Sequence, residues 1–203
     1  MSPKKKGAFA LDWIRDLRSV AVSARASDKA GKKMELADGL GRALDVMVSA
    51  CKAGRKIIFI GNGGSAAIAS HMAIDYWKNG GLSAIAFNDS SLLTCVSNDY
   101  SFERVFAEPL RQFAGAGDCL VAVSSGGRSK NILNGVAVGR QKRCHVITLS
   151  GFDSANPLRT LGDLNFYVNS HNYGMVEIAH LSLLHSVLDE RLASINHPLA
   201  KKS

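Results

Sequence analysis

The sequence predicts a single α/β domain, a five-stranded parallel sheet flanked by helices and preceded by an N-terminal helical hairpin. Three observations predict it. Five short, near-continuous apolar runs alternate with segments of helical periodicity, the pattern of strands buried on both faces. Two of those runs end in glycine- and serine-rich loops that open directly into helices. The 203 residues suit one domain with a sizeable core.

The elements follow in order. Residues 1–7 form a basic tail, and residues 8–53 the helical hairpin. In its first arm Trp13, Ile14, Leu17, Val20 and Ala21 share one helix face, and in its second Leu36, Leu40, Ala43, Leu44 and Met47 do the same. Ser27, Asp28 and Gly31 break the helix between them. Residues 54–194 form the α/β core. Its strands are predicted at Lys56–Ile60, Ala84–Phe87, Cys119–Ser124, His145–Leu149 and Asn165–Val168. Helices are predicted at about 65–78, 91–97, 102–114, 129–141 and 174–193. Residues 195–203 form a C-terminal tail.

Composition narrows the function classes. The chain is 46% hydrophobic and 21% charged, and no apolar run reaches the ~20 residues of a membrane helix. The basic start is not followed by the apolar stretch of a secretory signal, so the expectation is a cytoplasmic protein without membrane contact. Of the net charge of +8, five charges come from Lys4, Lys5, Lys6, Lys201 and Lys202, leaving +3 on the body. Basic tails are commonly solvated ends, and no aromatic or motif signature accompanies these, so a nucleic-acid partner is not expected. Cys51, Cys95, Cys119 and Cys144 form no C-x-x-C pair and read as reduced thiols.

The chemistry lies in the two loops. Ile57–Ile60 runs into Gly61-Asn62-Gly63-Gly64-Ser65 and then a helix, and Cys119–Val123 runs into Ser124-Ser125-Gly126-Gly127-Arg128-Ser129 and another. Glycines let a ligand approach the backbone, and helix N-termini present N–H groups to anions. The first loop alone reads equally as a tight turn, with Ser65 as a helix cap. Two at one sheet edge point to anion binding, through hydroxyls and amides that cradle a phosphate dianion. Arg128 either adds charge to that site or is a solvated residue of the first turn.

These loops, Gly61-Asn62-Gly63-Gly64-Ser65-Ala66-Ala67 and Ser124–Ser129, resemble the sugar isomerase (SIS) domain, and more narrowly the phosphoheptose isomerases. The resemblance runs from about residue 9 to 193. It implies conversion of sedoheptulose 7-phosphate to a manno-heptose 7-phosphate through an enediol, in heptose or polysaccharide precursor synthesis, by a homotetramer. It implies a substrate site of Asn62, Gly63, Ser65, Asp99, Ser124, Ser125 and Ser129. Asp99 reads equally as a cap for the helix beginning near Phe102.

His71 and Asp75, four apart, share one helix face and can share a metal or a proton, or form a plain ion pair. The resemblance makes them active-site residues, with Asp75 as catalytic base and His185 as general acid or base. It also implies a zinc site of His71, Asp75, Glu177 and His185. On an ideal helix Glu177 and His185 differ by about 80° in direction and ~12 Å along the axis. His180 lies on another face and reads as a packing histidine. The chain departs from the family at four places: Asp75 for Glu, Asn79 for Arg, Gly174 for Asp and Glu177 for Gln. Residues His171–Gly174 are therefore expected to shape a different pocket wall. Those departures keep open an alternative, a non-catalytic SIS protein that binds a phosphosugar or a replication initiator.

Overall fold

The structure, a computed structural model, describes residues 7–200. The expected basic charges of Lys4–Lys6, Lys201 and Lys202 lie outside the described residues. The five expected strands form one continuous block of the sheet: β3 (Ile57–Gly61), β4 (Ala84–Ala86), β5 (Cys119–Ser124), β6 (His145–Gly151) and β7 (Leu164–Val168). They are parallel in the order β4-β3-β5-β6-β7, with Ile57 beside Cys119, Cys119 beside His145 and Ile147 beside Leu164. Apart from His145, every residue of β3, β5, β6 and β7 is buried, which is why these strands read as continuous apolar runs.

The sheet has seven strands, not five. Between α1 (Ala8–Val22) and α2 (Leu36–Lys52) the chain forms a ribbon, β1 (Arg25–Asp28) and β2 (Lys33–Met34), which adds antiparallel to β7. Asp28, expected to break a helix, instead holds the hairpin turn. Its carboxylate accepts from the N–H groups of Ala30 and Lys32, both at 2.9 Å, and Gly31 takes φ 78°. The expected helical hairpin is thus two helices with a ribbon between them, and both helices lie against α7 (Tyr173–Ser194).

Both sheet faces are covered. Ile57 and Phe59 point toward α2, α3 (Gly64–Lys78) and α7, while Ile58 and Ile60 point toward α5 (Ala107–Phe113) and α6 (Lys130–Gln141). The expected helix over 102–114 is a 3-10 turn (Phe102–Arg104) followed by α5. The remaining helix, α4 (Ser90–Asp99), is capped by Asp89, whose carboxylate accepts from Leu92 N–H.

Two buried polar groups tie the layers together. Asp118, at the start of β5, accepts from the Lys56 ammonium at 2.7 Å, the Lys56 amide at 3.0 Å and the Gly115 amide at 2.8 Å. Burial pushes its carboxyl up, but these bonds outweigh burial and hold it below the usual carboxylate range. His180 on α7 is fully buried, with Nε2 3.1 Å from the Ser150 carbonyl, consistent with its reading as a packing residue. Burial holds its pKa down at about 4. Among the described residues no helix is long and apolar enough to cross a membrane.

Candidate active site

From β3 the chain crosses by α3 to β4 on one side, and from β5 it crosses by α6 to β6 on the other. The carboxyl ends of β3 and β5 therefore form a topological switch point, where open α/β sheets bind ligands. A cleft of about 650 Å³ opens there. Asn62, Gly63, Ser65, Ser124, Ser125 and Ser129, all expected from the sequence, line it. Asn62 and Asn131 exchange amide hydrogen bonds at 2.8 Å and lock the first loop to the first turn of α6, a pairing the sequence did not reveal.

The hydroxyls are arranged for an anion. Ser124 Oγ accepts from Gly127 N–H at 3.2 Å. Ser125 Oγ is buried with no hydrogen-bond partner. Ser129 caps α6 by position but its side chain makes no capping bond, and Ser65, inside the first turn of α3, makes none either. Hydroxyls beside two helix N-termini and free of capping duty suit a phosphate dianion. Gly127 has φ 62°, and a Cβ there would overlap the Asn156 amide, so the loop can be built only with glycine at that position.

The structure brings together three of the four expected metal residues. His71 Nε2 lies 3.2 Å from His185 Nε2 and 3.2 Å from Asp75 Oδ2, and ligand atoms of the three residues all lie within 4.8 Å of one another. Glu177 is not in that group. Helices α3 and α7 run side by side in the same direction, so Glu177 meets Gly64 in the first turn of α3, while His185 meets His71 two turns later. Glu177 lines the serine-lined cleft and also a smaller cavity of about 310 Å³ that reaches His71. Asn79, where the resemblance leads one to expect Arg, points its amide at Asp75 Oδ1 at 3.4 Å.

Asp99 stands outside the cleft. It is the last residue of α4, exposed, and bonded to the Asn98 amide at 2.9 Å and Cys95 Sγ at 3.4 Å. It does not cap the turn at Phe102 either, because Ser101 holds that position.

The far wall of the cleft is formed by Phe152, Asp153, His171 and Tyr173. Of the segment His171–Gly174, expected to shape a pocket wall, His171 and Tyr173 line the cleft. Gly174 lets Trp13 of α1 pack behind it, 3.1 Å from where a Cβ would stand. Arg128 forms an ion pair with Asp153 at 2.6 Å on the rim, both side chains being half or more exposed. Phe152 was not legible in the sequence. It sits at φ 58°, in the left-handed region, which costs a non-glycine residue roughly 1–2 kcal/mol.

The family model described as the SIS domain matches residues 24–151. The phosphoheptose isomerase of Citrifermentans bemidjiense is 34% identical over 161 residues, covering 76% of this chain and 83% of its own. That of Helicobacter hepaticus is 34% identical over 166 residues, covering 79% and 84%. The structure of phosphoheptose isomerase GmhA from Neisseria gonorrhoeae superposes with a TM-score of 0.77 at 30% identity, over 91% of this chain and 96% of that one. The Francisella tularensis phosphoheptose isomerase structure, at 24% identity and a TM-score of 0.78, shares the fold.

Proposed function

The chain belongs to the SIS domain family and, within it, to the phosphoheptose isomerases, and from that premise we propose that it interconverts sedoheptulose 7-phosphate and D-glycero-manno-heptose 7-phosphate. The observation that carries this reading is the pairing of a hydroxyl-lined cleft at the N-termini of α3 and α6 with the His71–Asp75–His185 cluster two turns further along α3 and α7.

The phosphoryl group rests on Ser65, Ser124, Ser125 and Ser129 and the amides of both loops, with Asn62 and Gly63 beside it. This fixes the far end of the sugar and directs its carbonyl toward α3. Asp75 takes the proton from the carbon beside the carbonyl. The electron pair of that C–H bond becomes the double bond of the enediol, and the carbonyl oxygen takes up a proton. His185 moves the hydroxyl protons between the two oxygens, and return of the carbon-bound proton to the neighbouring carbon completes the aldose. No net oxidant or reductant is required.

The cluster also fits a divalent metal ion. Two imidazole nitrogens and a carboxylate oxygen within 4.8 Å of one another are a donor set suited to zinc, with manganese or iron as chemical alternatives. Such an ion would polarise the substrate carbonyl and stabilise charge developing on oxygen. His71, Asp75 and His185 would hold it, and Glu177 would join only by turning from Gly64 toward His71.

The enzyme is read as a cytoplasmic homotetramer. The four free cysteines suit a reducing compartment. A subunit contact is supported by α1, none of whose residues is buried, with Phe9 76%, Ile14 61% and Val22 67% exposed.

Turnover of sedoheptulose 7-phosphate by the purified protein, with and without zinc, tests the function. The aldose product should appear and be lost with a chelator. No product with any divalent metal would remove the isomerase reading.

A further inference from the structure

The cleft-lining residues fall into two sets, and phosphate binding uses only one. The other is aromatic: Phe152, His171 and Tyr173. Phe152 and Tyr173 meet edge to face with ring centroids 4.7 Å apart, and His171 stacks on Phe152 at 6.1 Å with the rings 16° from parallel. Phe152 is half-buried, with one side against the core under α2, α3 and α7, while His171 is exposed and Tyr173 is 65% exposed, so the set forms the solvent-facing edge of that core at the cleft.

The left-handed backbone of Phe152 is fixed from both sides. Its N–H donates to the Ser170 carbonyl at 3.0 Å, and its carbonyl accepts from the Tyr167 hydroxyl at 2.8 Å. The Asn156 amide donates to the carbonyl of Gly151 at 3.1 Å and to that of Asp153 at 2.8 Å. Strain that is held in place this firmly at the wall of a cleft is a sign of use, since glycine would take the same conformation freely. The ring lies against the phosphate loop, its Cδ2 3.7 Å from where a Cβ on Gly126 would stand. The ring thus stands within reach of the first carbons of a ligand whose phosphoryl group occupies the Ser124–Ser129 loop.

We propose that Phe152, flanked by Tyr173 and His171, is a specificity-determining residue that packs against the C–H face of the carbons next to the phosphoester of a sugar phosphate. This rests on the sugar-phosphate reading above. Aromatic faces favour apolar C–H surface. A bare phosphate ion has none, so the ring separates sugar phosphates from free phosphate.

The test is calorimetric binding of sedoheptulose 7-phosphate and of inorganic phosphate to the full chain, with Phe152→Gly and Phe152→Leu. Phe152→Gly removes the ring and relieves the backbone. It should weaken sugar-phosphate binding about tenfold, a size expected of one lost aromatic contact. Phosphate affinity should stay within about twofold. Phe152→Leu should fall between. Unchanged sugar-phosphate affinity in Phe152→Gly overturns the proposal. So does a parallel loss of phosphate binding, which makes the ring a prop for the loop. A wild-type protein that binds phosphate but gains nothing from the sugar removes the sugar reading and this proposal with it.

Discussion

The Nε2 atoms of His71 and His185 lie 3.2 Å apart although the residues are 114 positions apart in the chain. Two such nitrogens cannot both carry a proton directed at the other. One must accept, or both must face a shared cation. Titration with zinc should show one ion bound per chain. His71→Ala and His185→Ala should each weaken binding at least about 100-fold, more than losses caused by altering residues outside the ligand set. Undiminished affinity in both variants would remove the site.

Asp75→Asn keeps the shape of the carboxylate and removes its basicity. Turnover should fall by about 10² to 10⁴, the usual contribution of a positioned base, with an unchanged melting curve. His185→Ala should also abolish turnover with the fold intact. Full activity in either variant would take that residue out of the mechanism.

Ser125 Oγ has no hydrogen-bond partner within the protein, so its removal breaks no internal hydrogen bond. Ser125→Ala should therefore melt at the same or a higher temperature without ligand. Inorganic phosphate should raise the melting temperature of the wild type and raise that of the variant much less. An equal rise in both would show that this hydroxyl does not contact the anion.

His180 makes stability depend on pH. Its folded pKa, held by burial at about 4, lies below the ordinary 6.5, so in the acid range the unfolded chain takes up a proton that the folded chain refuses. The stabilisation is complete above pH 6.5 and is lost as pH falls toward 4, by about 3 kcal/mol in all. Denaturant unfolding between pH 7 and pH 5 should show this slope, and His180→Gln should flatten it. Asp118, whose folded pKa is depressed, adds loss only below the ordinary carboxylate range. A slope unchanged in His180→Gln would assign the acid sensitivity to other groups.

The parts of the molecule that the sequence makes legible are those where burial or backbone geometry restricts residue choice. Ile57–Ile60 and Cys119–Val123 are apolar because both sheet faces are covered, and the loops after them are glycine and serine because they adjoin two helix starts. The β1–β2 ribbon left no such trace. Its one fully buried residue is Ala26, which packs closely against Gly39 of α2, so no apolar alternation marks the strand. The position of Glu177 depends on how α3 and α7 lie side by side. Helical spacing separates it from His185 but cannot show that it turns to Gly64. Phe152 carries no local signal, because its backbone is set by Asn156, Tyr167 and Ser170, all in contact only after folding.

The ribbon on β7 also decides how the sheet ends. One rim is the two-residue β2, which carries Lys33, and the other is the three-residue β4. A stray strand from another chain finds almost no run of free amide and carbonyl groups at either rim, and at one of them a lysine. The hairpin thus acts as a guard against edge-to-edge aggregation and leaves the helices as the surfaces through which copies of the chain can meet.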